Sequence, residues 1–170
     1  AILYTYGNTG RSKGAMLTHG NIASNALALA EAWHFTAADV LYHALPVYHT
    51  HGLFVAGNTM LLSGGSMIFR AKFDANDAIA RLPLATTMMG VPTFYTRLLQ
   101  HPCLTRELTR HLRLFISGSA PLLAETHQDF LERTGHAILH RYGLNEPNMN
   151  HSNPSLGETH AGKAGCTLHG

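Results

Sequence analysis

Three glycines, a threonine and a lysine fall within the eight residues Gly7-Asn8-Thr9-Gly10-Arg11-Ser12-Lys13-Gly14, directly after the apolar run Ile2-Leu3-Tyr4. Glycines let a backbone turn sharply and bring its N–H groups close to an anion. A lysine adds a point charge, and a hydroxyl can donate to a phosphate oxygen or join a magnesium shell. The composition suits gripping phosphate. The spacing is neither G-x-x-x-x-G-K-[ST] nor G-x-G-x-x-G, so a glycine-rich hairpin turn with a surface lysine is the alternative. Further along, His49 and His51 stand two apart, Arg97 follows Pro92, and Tyr142 and Glu146 lie near the end. Each has an ordinary structural reading beside a functional one: a hydrogen-bonded histidine, a solvated cation, a core aromatic, an exposed carboxylate.

Composition narrows the classes. The 170 residues carry a net charge of +2 without a Lys/Arg cluster, which argues against a nucleic-acid or anionic-membrane partner. A hydrophobic share of 45% and a charged share of 13% fit a soluble globular chain with one real core. The 13 histidines are scattered, with no H-E-x-x-H or C-x-x-C spacing to gather a metal. Cys103 and Cys166 form no disulfide framework, which points to a reducing cytoplasm. No signal peptide or membrane-length apolar run occurs. The sequence carries no signal of oligomeric state.

The elements that must position these residues alternate between strand and helix. Ile2–Thr5 and Ala15–Thr18 flank the glycine loop as a hairpin. Strands are expected at Val40–Leu45, Ser66–Phe69, Thr86–Met89, Leu112–Ile116 and Ala137–His140. Helices are expected at Asn21–Trp33, His51–Leu62 with the stop Gly64-Gly65, Asp74–Leu82, Pro92–Gln100, and Leu122–Thr134 stopped by Gly135. Repeated strand–helix–strand units imply an α/β fold with a mainly parallel sheet and helices on both faces. Ligands bind beyond the carboxyl ends of such strands. The glycine loop, Tyr48-His49, Gly90-Val91, Ser117–Ala120 and Tyr142–Glu146 each follow a predicted strand, so all five are expected on one rim.

Four segments in order resemble the signatures of the adenylate-forming, AMP-binding acyl-CoA synthetase superfamily. Tyr4, Thr5, Gly7, Thr9, Gly10, Lys13 and Gly14 match Y-T-S-G-T-T-G-x-P-K-G, and Leu45–Leu53 matches L-P-x-[FY]-H-x-x-G-L. Ile116–Leu122 resembles S-G-[GS]-A-P-L, and Arg141–Glu146 resembles Y-G-x-T-E. The phrases HALPVYHTHGLFVA, MGVPTFYTRLL and LRLFISGSAPL look most like malonyl-CoA synthetases. The chain opens inside a strand without a methionine, and Gly162–Gly170 is similar to the family's P-G-x-V-G-x-P-x-P-G loop. Residues 1–170 therefore read as part of the large AMP-binding domain, without the small C-terminal domain and its catalytic lysine.

The resemblance implies an ATP-dependent acid–thiol ligase that activates a carboxylic acid, malonate or a close analogue, as an acyl-adenylate and passes it to coenzyme A. Thr5, Tyr6, Gly7, Asn8, Thr9, Gly10 and Lys13 would wrap the triphosphate. Gly118, Ser119, Ala120 and Pro121 would wall the adenine slot, with Tyr142 stacking on the base and Arg141, Gly143 and Asn145 beside it. Glu146 would hold magnesium with Thr9, making Lys13, His49 and Glu146 the catalytic set. His49, His51, Gly90, Arg97 and Met149 would form the acid pocket, Arg97 as cation for the unreacted carboxylate. Four positions depart from the pattern: Tyr6, Asn8 and Asn145 replace hydroxyl residues, and Pro147 follows the glutamate. An altered core that keeps the fold and at most weak nucleotide binding is the second reading.

Overall fold

The computed structural model describes residues 1–6, 12–144, 148–152 and 166–167, with side chains for 1–4 and 14–141. Five parallel strands form its centre in the order β4-β3-β5-β6-β7: Ser66–Phe69, Val40–His43, Thr87–Gly90, Leu114–Ser117 and Ile138–Leu144. Two more strands, β8 (Asn148–Ser152) and β9 (Cys166–Thr167), continue the sheet antiparallel beyond β7. The hairpin β1 (Ile2–Tyr6) and β2 (Ser12–Met16) pairs as the sequence implies, Thr5 opposite Lys13, but makes a sheet of its own. The expected rim of five strand ends on one sheet is corrected on that point.

Strand alternation sorts the core into two. Tyr42, Met88, Phe115 and Ile138 enter one apolar cluster, while their neighbours Leu41, Met89, Leu114, Ile116 and Leu139 enter the other. Residues that point both ways are apolar because both faces are covered. Helices α3 (Ala75–Arg81), α4 (Pro92–Leu99) and α6 (Ala124–Thr134) supply the first cluster, where Phe115 and Phe130 rings meet edge-on at 5.0 Å. Helices α1 (His19–Ala32) and α2 (Asn58–Ser63) supply the second, around the fully buried Trp33.

Local chemistry sets the boundaries. Thr18 caps α1: its hydroxyl accepts from Asn21 N–H at 3.1 Å, and Asn21 Oδ1 accepts from Thr18 N–H at 3.0 Å. The helix therefore begins two residues before the expected Asn21. Asp74 caps α3 as expected, and Gly64 and Gly135 end α2 and α6 at φ +71° and +80°, a conformation glycine adopts without Cβ strain. The expected helix His51–Leu62 is not one helix. His51–Gly57 forms a π-turn before α2 begins. β7 runs on through Leu144 rather than ending at His140, because pairing with β8 carries the backbone past the expected loop. A short α5 (Arg106–Thr109), capped by Thr105, was not expected.

Candidate functional site

The carboxyl ends of β3, β4, β5 and β6 surround a cleft of about 480 Å³. β3 leads into Ala44-Leu45-Pro46 and on to Tyr48, His49, His51 and Gly52. β4 delivers Ala71, Lys72 and Phe73, β5 delivers Val91, Phe94 and Arg97, and β6 delivers Ser119. Among the described residues the lining is mostly apolar, with two cations and no carboxylate. Phe73 and Phe94 stack at 4.1 Å, 10° from parallel, and make one wall.

The segment after β3 turns into the cleft because Pro46 stops the strand and Gly52 lets the chain close on itself. A Cβ at Gly52 would overlap the Pro46 carbonyl, so no larger residue fits without a backbone shift. His43 pins this turn: its Nε2–H donates to the Gly52 carbonyl at 2.9 Å, while its Nδ1 accepts from Leu45 N–H at 3.3 Å. Both ring nitrogens are thereby engaged. Burial lowers its pKa below the ordinary 6.5, against the opposing bond to Gly52. His43 was not among the expected site residues, and its signal was available, a histidine inside an otherwise apolar strand run.

His51 is 2% exposed. Its Nδ1 lies 3.1 Å from Ser119 Oγ, and its Nε2 is buried with no hydrogen-bond partner. Burial above all, with the nearby Arg141, His49 and His43, drives its pKa well below 6.5, so the ring is neutral at neutral pH. His49 sits exposed at the mouth, and its Nδ1 accepts from His51 N–H at 3.1 Å. Burial, then Arg141, lowers its pKa too. Two neutral imidazoles one residue apart suit an anionic ligand less by charge than by hydrogen bonding. The charge comes from Arg97, which is exposed on α4, and from Lys72, which sequence reasoning missed because nothing in its pattern ties it to the rim.

The wall after β6 is built around a strained residue. Ser119 has φ +69°, a left-handed conformation costing a non-glycine residue about 1–3 kcal/mol. Gly118 N–H donates to the Gly90 carbonyl at 3.2 Å, and a Cβ on Gly118 would overlap the Arg141 guanidinium. Arg141 is 4% exposed and lies behind the wall; burial brings its pKa down to about 9, leaving it charged at neutral pH. Ala120 and Pro121 are exposed beyond Ser119. Gly90 packs tightly under Phe94, where a Cβ would stand 3.0 Å from the ring.

His49, His51, Arg97 and Ser119 thus share one cleft, with Gly90, Gly118 and Arg141 supporting it. Thr5, Tyr6, Lys13, Tyr142, Gly143 and Met149 are described by backbone alone, the first three on the hairpin, the next two on β7, and Met149 on β8 opposite Gly143. Gly7, Asn8, Thr9, Gly10, Asn145, Glu146 and Pro147 lie outside the described residues, and with them the expected meeting of His49 and Glu146. No helix among the described residues is long and apolar enough to cross a membrane.

A doubly covered parallel sheet with a ligand-sized cleft at its carboxyl edge fits the class implied by the signatures. The AMP-binding enzyme family model matches residues 1–170, and the chain belongs to that family. Among curated relatives, the chain is 38% identical to a malonate–CoA ligase of Arabidopsis thaliana, covering 99% of this chain and 31% of that protein. It is 33% identical to a mitochondrial malonate–CoA ligase of Mus musculus, over 99% of this chain and 32% of that protein. The crystal structure of ATP-bound MatB from Rhodopseudomonas palustris superposes with a TM-score of 0.96 at 62% identity, over 99% of this chain and 34% of that one. A malonyl-CoA ligase with methylmalonyl-CoA and AMP bound gives 0.93 at 37% identity, over 99% and 38%. The chain therefore spans about a third of the length of these relatives. The adenylate-forming, malonyl-CoA synthetase-like resemblance read from the sequence holds.

Proposed function

We propose that the protein carrying this chain is an ATP-dependent acid–thiol ligase that activates malonate, or a close analogue, as an acyl-adenylate and transfers it to coenzyme A. The observation that supports this reading best is the cleft itself: four strand ends enclose a mostly apolar volume whose described lining holds two cations, two neutral histidines and no carboxylate. An unreacted carboxylate buried there needs a cation, which Arg97 supplies. A monocarboxylic acid would not need one.

In this reading His49, exposed at the mouth, sits between the acid and the α-phosphate and orients the attacking carboxylate. Gly118–Pro121 forms one wall of the adenine slot, with Tyr142 on the base and Arg141, Gly143 and Asn145 nearby. Thr5 to Lys13 wraps the β- and γ-phosphates. Glu146 and Thr9 offer oxygen donors, the donor chemistry magnesium takes, and the ion would neutralise phosphate charge. Attack on the α-phosphate depends on orientation and charge neutralisation more than on an acid or base. In this reading residues 1–170 are part of the large AMP-binding domain, and we expect that span alone to form no acyl-CoA.

The test is pyrophosphate release and acyl-CoA formation by the intact protein with ATP–magnesium and coenzyme A. Malonate should be used, and Arg97→Leu should raise its KM at least tenfold while leaving a monocarboxylate of similar size less affected. Equal use of both acids by the wild type would sink the substrate assignment. One sequence observation favours a second reading, a core with impaired nucleotide binding: Tyr6 puts a ring where the family has a serine. A charge-assisted hydrogen bond is worth roughly 1.5–3 kcal/mol, so under that reading Tyr6→Ser tightens ATP–magnesium binding about tenfold. Unchanged affinity would leave the enzyme reading alone.

A further inference from the structure

The acid side of the cleft and the wall after β6 meet at a single side-chain hydrogen bond, between His51 Nδ1 and Ser119 Oγ at 3.1 Å. We propose that His51 is a positioning residue whose bond to Ser119 holds that residue in its left-handed conformation, so that the acid side of the cleft sets the shape of the nucleotide wall. The inference rests on the reading that residues 118–121 form that wall.

A non-glycine residue at φ +69° stays there only when its surroundings hold it. The neighbours are held by other means. Gly118 is fixed by its N–H on the Gly90 carbonyl at 3.2 Å, and Pro121 keeps Ala120 out of the helical region. The Ala120 carbonyl also accepts from His140 Nε2–H at 3.3 Å. Among the described residues, the His51 bond is the one that acts on Ser119 through its own side chain. His51 in turn has little freedom. It is 2% exposed, it opens the π-turn, and the next residue's carbonyl is held by His43 at 2.9 Å. A series of contacts therefore runs from β3 through His43, Gly52 and His51 to Ser119. Burial keeps the His51 ring neutral, so its Nδ1 either accepts a hydrogen bond from the serine hydroxyl or donates one to it, according to the tautomer.

Steady-state kinetics of the intact protein test this. His51→Phe and Ser119→Ala should each raise KM for ATP about fivefold to tenfold, with kcat changing less; Ser119→Ala does so without touching the buried ring, which covers a His51 variant that folds poorly. Combined, the two should cost no more than the larger alone, because they remove the same bond. The decisive variant is Ser119→Gly in the His51→Phe background. Glycine adopts positive φ unaided, so it should recover most of the lost ATP affinity, which a residue that merely fills space would not allow. His51→Asn, whose amide reaches the Nδ1 position, should recover part of it. Failure of glycine to rescue, or an unchanged KM in Ser119→Ala, overturns the inference while ATP use by the wild type stands. A wild type that does not use ATP overturns both this and the reading beneath it.

Discussion

The two ends of the parallel sheet are built on opposite principles. At the amino ends of β3, β5 and β6, Asp39 accepts from Arg113 Nε and Nη2, both at 2.8 Å, from Thr86 Oγ1 at 2.8 Å and from Thr36 N–H at 2.9 Å. Arg113 Nη1 also donates to the Trp33 carbonyl at 2.9 Å, and its guanidinium lies 5.0 Å from the Phe35 ring centre. Asp39 and Arg113 there form an ion pair held by hydrogen bonds from both partners. At the carboxyl ends, His51 Nε2 and Ser117 Oγ are buried without partners, Ser119 is strained, and no carboxylate lines the cleft among the described residues. Thr87 Oγ1 at the start of β5 is buried without a partner too, so the ends differ in charge: an ion pair at one, the closed end, and cations without a carboxylate among the described lining residues at the other, the open end. Stability and chemistry are separated along the strand direction by the length of four residues.

Breaking the closed end should show the largest effect. Asp39→Ala leaves Arg113 half-stranded and removes the acceptor shared by two threonines, and it should lower unfolding free energy by about 3 kcal/mol. Denaturant titration checks it, and substrate KM of the folded enzyme should not move. A loss below about 1 kcal/mol would mean that the ion pair behaves like an exposed one.

At the open end the order should reverse, with function lost ahead of fold. Gly52→Ala pushes a methyl into the Pro46 carbonyl, an overpacking worth about 2 kcal/mol. The displaced turn carries His49 and His51, so kcat/KM should fall at least tenfold in protein that still melts cooperatively. An active Gly52→Ala enzyme would show that the tight turn is unimportant to the cleft.

The smallest effect separates the two ends by pH. His43 and His51, both buried, titrate below the ordinary 6.5 when folded, so the unfolded chain binds more protons as pH falls past 6.5. Stability should therefore be flat above that value and decline below it, by on the order of 1 kcal/mol between pH 7 and pH 6. Asp39 behaves differently. Burial works against its charge, but the bonds from Arg113, Thr36 and Thr86 hold its carboxyl below the ordinary 3.8. Its contribution should persist until pH falls below that value. Melting temperatures from pH 8 to pH 3 should show two separate declines, and Asp39→Ala should shrink only the acidic one, part of which Asp77 with Arg70 and Arg81 also carries.

The sheet was largely legible in the sequence, whereas the Asp39–Arg113 cluster at its closed end was not. Apolar runs four to six residues long marked β3 to β6 within about two residues, and Asp74, Gly64 and Gly135 marked helix limits by chemistry that acts within one turn. What depended on distant partners was not legible. β8 exists through pairing with β7, α5 is a single turn that leaves no period, and the π-turn is imposed by Pro46 and His43 across the cleft. At the site, His49, His51, Arg97 and Ser119 were found through spacing and motif. His43 was missed although a histidine inside an apolar strand run signalled it; Lys72 and Phe73 were missed because their importance lies in which strand ends adjoin, and adjacency of β4 to β3 is a property of topology. The strain at Ser119 was equally invisible, since serine gives no local sign of a left-handed backbone.

The π-turn at His51–Gly57 has one further consequence, for how chain length can vary. Such a turn holds about one residue more than the α-helical turn it replaces. Losing one residue inside it converts the turn to α-helix and leaves both flanks in phase, whereas a loss within α2 swings every later side chain by about 100° around the axis. The segment is a slack point where the cleft side can shorten or rotate while Met60 keeps its place in the core. Gain or loss of a single residue between His51 and Asn58 is therefore an accessible route to a differently shaped cleft on an unchanged sheet.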